Sequence, residues 1–230
     1  MANPTDSQGS QVKLVAFTQG AGELIGKNAQ EVISFITRVS NPENQMNFET
    51  SPKLLAYCIR NGHWSPFEHA SMTVEIETTR AIAAQILRHR SFCFQEFSQR
   101  YAKAAEYEEA DARRQDTKNR QNSTDDLTSA EQGWFHDAQK KIWDLTYGLY
   151  TEALEKGIAK ECARFLLPLN TKTRIYMTGN ARSWIHYIEL RSAHGTQKEH
   201  MDIAHECRRI FSERFPDIAK GLEWTAPQIL

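Results

Sequence analysis

Arg88-His89-Arg90-Ser91-Phe92-Cys93-Phe94-Gln95-Glu96-Phe97-Ser98-Gln99-Arg100-Tyr101 gathers more chemistry than any other stretch of the chain. Neighbouring residues on a helix point about 100° apart, so Arg88, His89 and Arg90 fan out and cannot serve one contact. Such a fan suits an element enclosed by several ligand groups or by neighbouring subunits. Arginine offers planar, bidentate donors to phosphate or carboxylate and stays charged at any working pH. Cations at a helix C-terminus also answer the macrodipole, which accounts for one or two of them. It does not account for polar residues interleaved with Phe92, Phe94 and Phe97. The same aromatic spacing makes Cys93, between two phenylalanines, a packed and inert thiol.

Working outward, residues 81–87 read as a helix that delivers Gln85 and Arg88 to one side, three positions apart. Before it, Met72, Val74 and Ile76 alternate with Thr73, Glu75 and Glu77, the pattern of a half-buried strand. The loop Gly62-His63-Trp64-Ser65-Pro66-Phe67-Glu68-His69 is crowded with polar groups, but its histidines lack a third ligand at metal spacing. Ser51-Pro52 reads as a helix start with Ser51 as N-cap, burying Leu54, Leu55, Cys58 and Ile59. Val32, Phe35, Ile36 and Val39 mark an earlier helix, and Val12, Leu14 and Ala16 a first strand. Residues 1–11 are polar and read as a loose N-terminus; 12–230 read as one domain.

Downstream, residues 106–132 are polar and read as a surface insertion. A helix then repeats Phe135, Ala138, Ile142, Leu145, Leu149 and Ala153, with Gly157 at its end. Arg164 sits among Phe165, Leu166 and Leu167, where a charge needs a partner. Ile175 to Thr178 reads as a strand, and Asn180 as the N-cap of a helix that puts Arg182 and His186 on one face. The final helix runs from Gln197 to Phe215, and Pro216 closes it. His200 and His205 miss the H-E-x-x-H zinc spacing. Helices with a few short, mainly antiparallel strands make this an α+β fold, mostly helical with a small sheet.

Composition narrows the function. Of 230 residues, 28 are Lys or Arg and 29 Asp or Glu, a formal net charge of -1. That balance argues against a protein living on nucleic-acid backbone. The four cysteines are scattered without a C-x-x-C pair, as expected of reduced thiols in the cytoplasm. No apolar run approaches the roughly 20 residues that span a bilayer, and no signal peptide is expected. G-x-G-x-x-G and P-loop fingerprints are lacking, so a bound dinucleotide would not sit on a Rossmann unit.

Arg-His-Arg, seven residues, Ser, then Arg-Tyr resembles the signature of the flavin-dependent thymidylate synthases. The resemblance extends from Arg38-Val39-Ser40 through His63-x-Ser65-Pro66-x-Glu68-His69 and Asn180-Ala181-Arg182-Ser183 to Leu190-Arg191 and Gln197-x-Glu199. Cys93 and Gln95 stand where the family often has serine and asparagine. Gly195 replaces a frequent histidine, with His194 one step earlier.

The resemblance implies methylation of dUMP to dTMP, with methylenetetrahydrofolate as carbon donor and FAD, reduced by NADPH, as hydride source. It assigns flavin contacts to Ser40, Ser65, Glu68, Arg88, His89 and Arg90. Glu96, Asn180, Ala181, Arg182, His186 and Leu190 complete that set. Nucleotide contacts fall to Gln85, Ile86, Leu87 and Arg88, to Glu96, Phe97, Ser98, Gln99 and Arg100, and to Arg164 and Arg191. Arg191 is the catalytic residue, stabilising charge at the N3-O4 edge of the uracil. No metal, nucleic acid or membrane is implied. A homotetramer with sites shared between subunits is, with Arg88 and Arg191 expected to reach one nucleotide from different chains. Covalent catalysis by Cys93 or Ser98, and an RNA-binding platform of interleaved Arg and Phe, are the alternatives.

Overall fold

Period-two alternation builds the sheet. The computed structural model describes residues 11–224, so all of the expected loose N-terminus except Gln11 lies outside them. β1 (Gln11–Phe17) pairs with β2 (Ser71–Thr79), and β2 with β6 (Lys172–Asn180). β3 (Cys93–Glu96) adds the far edge, giving the antiparallel order β1-β2-β6-β3. One face buries Met72, Val74, Ile76, Ile175 and Met177. The other is polar, with Thr73 bonded to Thr178 at 2.9 Å and Tyr176 to Glu75 at 2.7 Å.

Helices cover the apolar face. α1 (Ala29–Thr37) starts with a capping box between Asn28 and Glu31. α2 (Ser51–Arg60) has Thr50, not Ser51, at its N-cap position, without a side-chain cap bond. Ser51 is buried and bonds Ser34 of α1 through its hydroxyl at 2.7 Å, so tertiary pairing claims the side chain expected to cap the helix. α3 (Arg80–Ile86) follows β2 directly. β4 (Arg114–Gln115) and β5 (Ser123–Thr124) form a small hairpin inside the polar 106–132 stretch. α4 (Ser129–Glu155) and α5 (Lys160–Ala163) come next. α6 (Ala181–Arg191) and α7 (Lys198–Arg214) pack together, α7 also lying on β1 and β2. α8 (Pro216–Gly221) is an addition: Pro216 opens a helix at its first turn instead of ending the chain's last one.

The main core joins Trp184, Tyr187, Phe211, Phe215 and Ile33 with the sheet. Trp184 donates its indole N–H to the carbonyl of Met72 at 3.0 Å, so its one polar atom is satisfied in the interior. A separate, small cluster of Tyr150, Ala153 and Ala163 holds α4 to α5. Here the expected apolar repeat of α4 is only partly buried. Ala153 is inside, but Ile142, Leu145 and Leu149 are exposed, Leu145 at 65 %. The packed side of α4 is aromatic instead: Tyr107, Trp143 and Tyr147 stack with centroids 4.9 Å apart.

Candidate active site

The central motif begins where α3 gives way to β3. The helix ends at Ile86, with Leu87 as its cap, and residues 88–91 form turns closed by Phe92 N–H donating to His89 C=O at 3.2 Å. The expected helical fan is therefore a fan on a turn. Its physical cause is Phe92, whose ring stands edge-on to Trp184 at 4.8 Å and lies against Gly179 of β6, where a Cβ would overlap it. Seating that ring draws the chain out of the helix and into β3. Strand alternation then turns Phe92 and Phe94 towards the core and leaves Cys93 exposed, overturning its reading as a buried packing residue.

The fan does separate the three residues. His89 is buried, while Arg88 and Arg90 are exposed and their side chains make no hydrogen bond or ion pair among the described residues. Arg191, at the last turn of α6, donates from Nε to His89 Nε2 at 2.9 Å. Accepting there requires a neutral imidazole with its proton on Nδ1. Burial, then the charges of Arg191 and His186, lower the His89 pKa to about 4.

Behind His89 lies a second buried imidazole. His200 on α7 approaches Gln85 Oε1 through Nδ1 at 3.3 Å and the Tyr187 hydroxyl through Nε2 at 3.1 Å. Burial, then Arg191 and His89, lower its pKa to about 3. A metal template passed over this residue; its place on the inward face of α7, with Ile203, Ala204 and Cys207, was the available signal.

A cavity of about 790 Å³ opens beside α6, lined by Trp64, Glu68, Ser91, Asn180, Arg182 and His186 among others. Four of the residues assigned to flavin thus meet in one place. Arg182 pairs with Glu68, and Asn180 Oδ1 caps the helix by accepting from Ser183 N–H at 2.9 Å. Ser65 is exposed at the start of the 3-10 turn Ser65–His69, and Leu190 is exposed on α6. Ala181 is wholly buried, with its N–H on the carbonyl of Ala70 at 2.8 Å. Ser40 is elsewhere, in a cavity of about 510 Å³ with Arg38, Asn41, Lys53 and Tyr57. Glu96 is held by Arg80 at 2.5 Å and Thr173 at 3.0 Å.

The residues assigned to nucleotide fall into two groups. Gln85 faces His200 and Gln197, beside Arg191 and His89. Gln99 and Arg164 line a different cavity of about 250 Å³ with Arg80. Gln99 is buried and its Nε2 has no hydrogen-bond partner among the described residues, so an acceptor belongs there. Arg80 was missed because the helix was read as starting at Ala81. Arg80 and Gln85 are five residues apart on α3, which at about 100° per residue sets them roughly 140° apart around the helix. Nearby, Arg100 pairs with Glu161 at 3.0 Å, and Ser98 Oγ accepts from Arg100 N–H at 3.3 Å. Phe97 is exposed and Leu87 caps α3. Ile86 is completely buried, and its carbonyl accepts from the His89 N–H at 3.1 Å.

A family model described as thymidylate synthase complementing protein matches residues 14–217. The chain is 56% identical over 213 residues to a probable flavin-dependent thymidylate synthase of Paramecium bursaria Chlorella virus 1, covering 92% of this chain and 98% of that one. It is 59% identical over 193 residues to a flavin-dependent thymidylate synthase of Synechocystis, covering 84% and 89%. A crystal structure of a UMP/dUMP methylase, PolB from Streptomyces cacaoi, bound with 5-Br dUMP, has a TM-score of 0.81 at 23% identity, covering 94% and 95%. That likeness shows that the two share a fold.

Proposed function

This chain belongs to the family of flavin-dependent thymidylate synthases, and from that premise we propose how its residues divide the methylation of dUMP to dTMP between them. FAD is its cofactor and, when bound, supplies the hydride chemistry of the reaction. The residues fit such a group. A cavity of about 790 Å³ is within the usual range for small-molecule sites, and it offers Trp64 and Ile185 as apolar wall beside polar Asn180, Arg182 and His186. Arg88 and Arg90, free of carboxylates among the described residues, suit a pyrophosphate.

One observation carries the catalytic assignment. The neutral His89 ring fixes Arg191 through Nε alone, leaving its two Nη groups for the ligand. Those donors are held ready for negative charge developing on the uracil, and need no reorganisation when it appears. Gln99 and Arg164 provide the second nucleotide surface, where the unpartnered amide and the guanidinium suit a phosphate. Among the described residues neither the Ser98 hydroxyl nor the Cys93 thiol is hydrogen-bonded to a base, so neither is set up as an activated covalent nucleophile. Methylenetetrahydrofolate donates the carbon, and NADPH reduces the flavin.

The working form is a homotetramer with sites shared between chains. Three features support that reading: the flavin residues divide between two cavities, the nucleotide residues divide across α3, and an apolar strip of α4 faces outward. Among the described residues no helix is long and apolar enough to cross a membrane, and the four cysteines are free thiols, which suits the cytoplasm. The test is reconstitution: purified protein should release FAD on mild denaturation and convert dUMP to dTMP with methylenetetrahydrofolate and NADPH. Protein that takes up no flavin from excess FAD would contradict the proposal.

A further inference from the structure

A chain of hydrogen bonds runs from the polar 106–132 stretch to Gln85. Arg113, just ahead of β4, donates from Nη2 to both carboxylate oxygens of Glu199, at 2.8 and 2.9 Å. Gln197 donates from Nε2 to Glu199 Oε2 at 2.9 Å. Its own Oε1 accepts from Gln85 Nε2 at 2.6 Å. Gln85 Oε1 then meets His200 Nδ1, and His200 Nε2 meets the Tyr187 hydroxyl.

The direction of every bond follows from one group. A carboxylate accepts and never donates, so Glu199 obliges Gln197 to turn its NH2 inward and its carbonyl outward. That carbonyl obliges Gln85 to present NH2 to Gln197 and its oxygen to His200. The oxygen in turn requires a proton on His200 Nδ1, which leaves Nε2 to accept from Tyr187. With Glu199 ionised the polarity has no alternative. Burial opposes ionisation, but the N–H of Glu199 itself and the donors on Arg113 and Gln197 outweigh it and keep the pKa below the usual carboxylate value. Both members of the Arg113–Glu199 pair are largely buried, so solvent screens it little.

We propose that Glu199, clamped by Arg113, is a positioning residue that fixes which way the Gln85 amide faces the nucleotide. This rests on the reading that Gln85 meets the nucleotide. The amide is left with one N–H on Nε2 and one lone pair on Oε1 for the ligand, in a fixed order. Turning it over would set an NH2 against the protonated His200 Nδ1. The polar stretch, remote in sequence from the motif, thereby acts on substrate recognition through α7 and α3.

The experiment is a double-mutant cycle on FAD-loaded enzyme, with dUMP affinity measured calorimetrically. Glu199→Gln keeps the shape but lets the side chain donate, so Gln197 and Gln85 lose their fixed direction. The dUMP Kd should rise about tenfold while FAD content and thermal midpoint hold. In a Gln85→Ala background the same change should add less than about twofold, because residues acting through one another are not additive. Arg113→Lys, at the outer end, gives a second route if Glu199→Gln folds poorly: a shift in the same direction of about threefold, again absent without Gln85. Equal effects of Glu199→Gln with and without Gln85, or none while Gln85→Ala weakens binding, would overturn the proposal. If Gln85→Ala itself leaves the Kd unchanged, the reading of Gln85 fails and the inference falls with it.

Discussion

α6 and α4 are both helices of this chain, and they are treated in opposite ways. α6 buries Trp184, Ile185, Tyr187 and Ile188, satisfies its cap and its indole within the chain, and holds Arg191 through Nε. α4 buries an aromatic row against the chain's own 104–110 segment but leaves Ile142, Leu145 and Leu149 in water, near Phe165 at 82 % exposure. The first region is finished by one chain. The second leaves an apolar face open, and under the proposed shared-site tetramer a further chain covers it.

Four measurements would break or sharpen this contrast. Phe92→Ala should destabilise the first region most, by about 3–5 kcal/mol in chemical denaturation, since the ring fills the space over Gly179 against Trp184 and Tyr187. A change below 1 kcal/mol, roughly that of a surface site, would mean the region is looser than described. Arg191→Ala should keep the fold and FAD but lose about 2.7–4 kcal/mol of transition-state stabilisation, the cost typical of removing one oxyanion donor. A near-normal single-turnover rate with dUMP and the folate would assign the charge to another residue.

Leu145→Asp bears on the second region. It should leave helix content unchanged and lower the light-scattering mass; an unchanged mass would take the α4 face out of the interface. The mildest effect is that of acid. Burial lowers the pKa of His89 to about 4 and that of His200 to about 3, below the ordinary histidine value of 6.5. Between those limits the unfolded chain binds protons that the folded one does not, so stability rises with pH up to about 6.5 and then levels. The slope should not exceed roughly 1.4 kcal/mol per pH unit for each histidine, and His89→Gln should reduce it. A flat profile from pH 4 to 6.5 would mean that these imidazoles are solvated.

How much of this was legible in the sequence depended on whether a residue's partner was local. Strand alternation at Met72, Val74 and Ile76 and the cap at Asn180 are local signals, and both stand in the structure. β3 was not read, because four residues on a sheet edge carry little pattern and its start is dictated by Phe92 meeting Gly179, 87 positions away in the chain. Ser51 looked like a cap until Ser34 took its hydroxyl. Pro216 has the same φ whether it ends a helix or begins one, and here it begins one. In the site, Glu68, Asn180, Arg182 and His186 line one cavity. Arg80 was hidden because its partner, Glu96, lies across elements, and His200 showed only its place on the inward face of α7 and not its partner Gln85.

The central claim is that one active site draws on two chains, and Arg164 and Arg191 test it most directly because they stand with the two groups that α3 separates. Arg164→Ala and Arg191→Ala proteins, each near background alone, should be dissociated reversibly, mixed in equal ratio and reassembled. Mixed oligomers would then contain some sites with both arginines intact, and methylation of dUMP should return to a fraction of the wild-type rate. If mass analysis shows that mixed oligomers have formed and activity stays at background, both arginines serve each site from the same chain and the shared site is wrong.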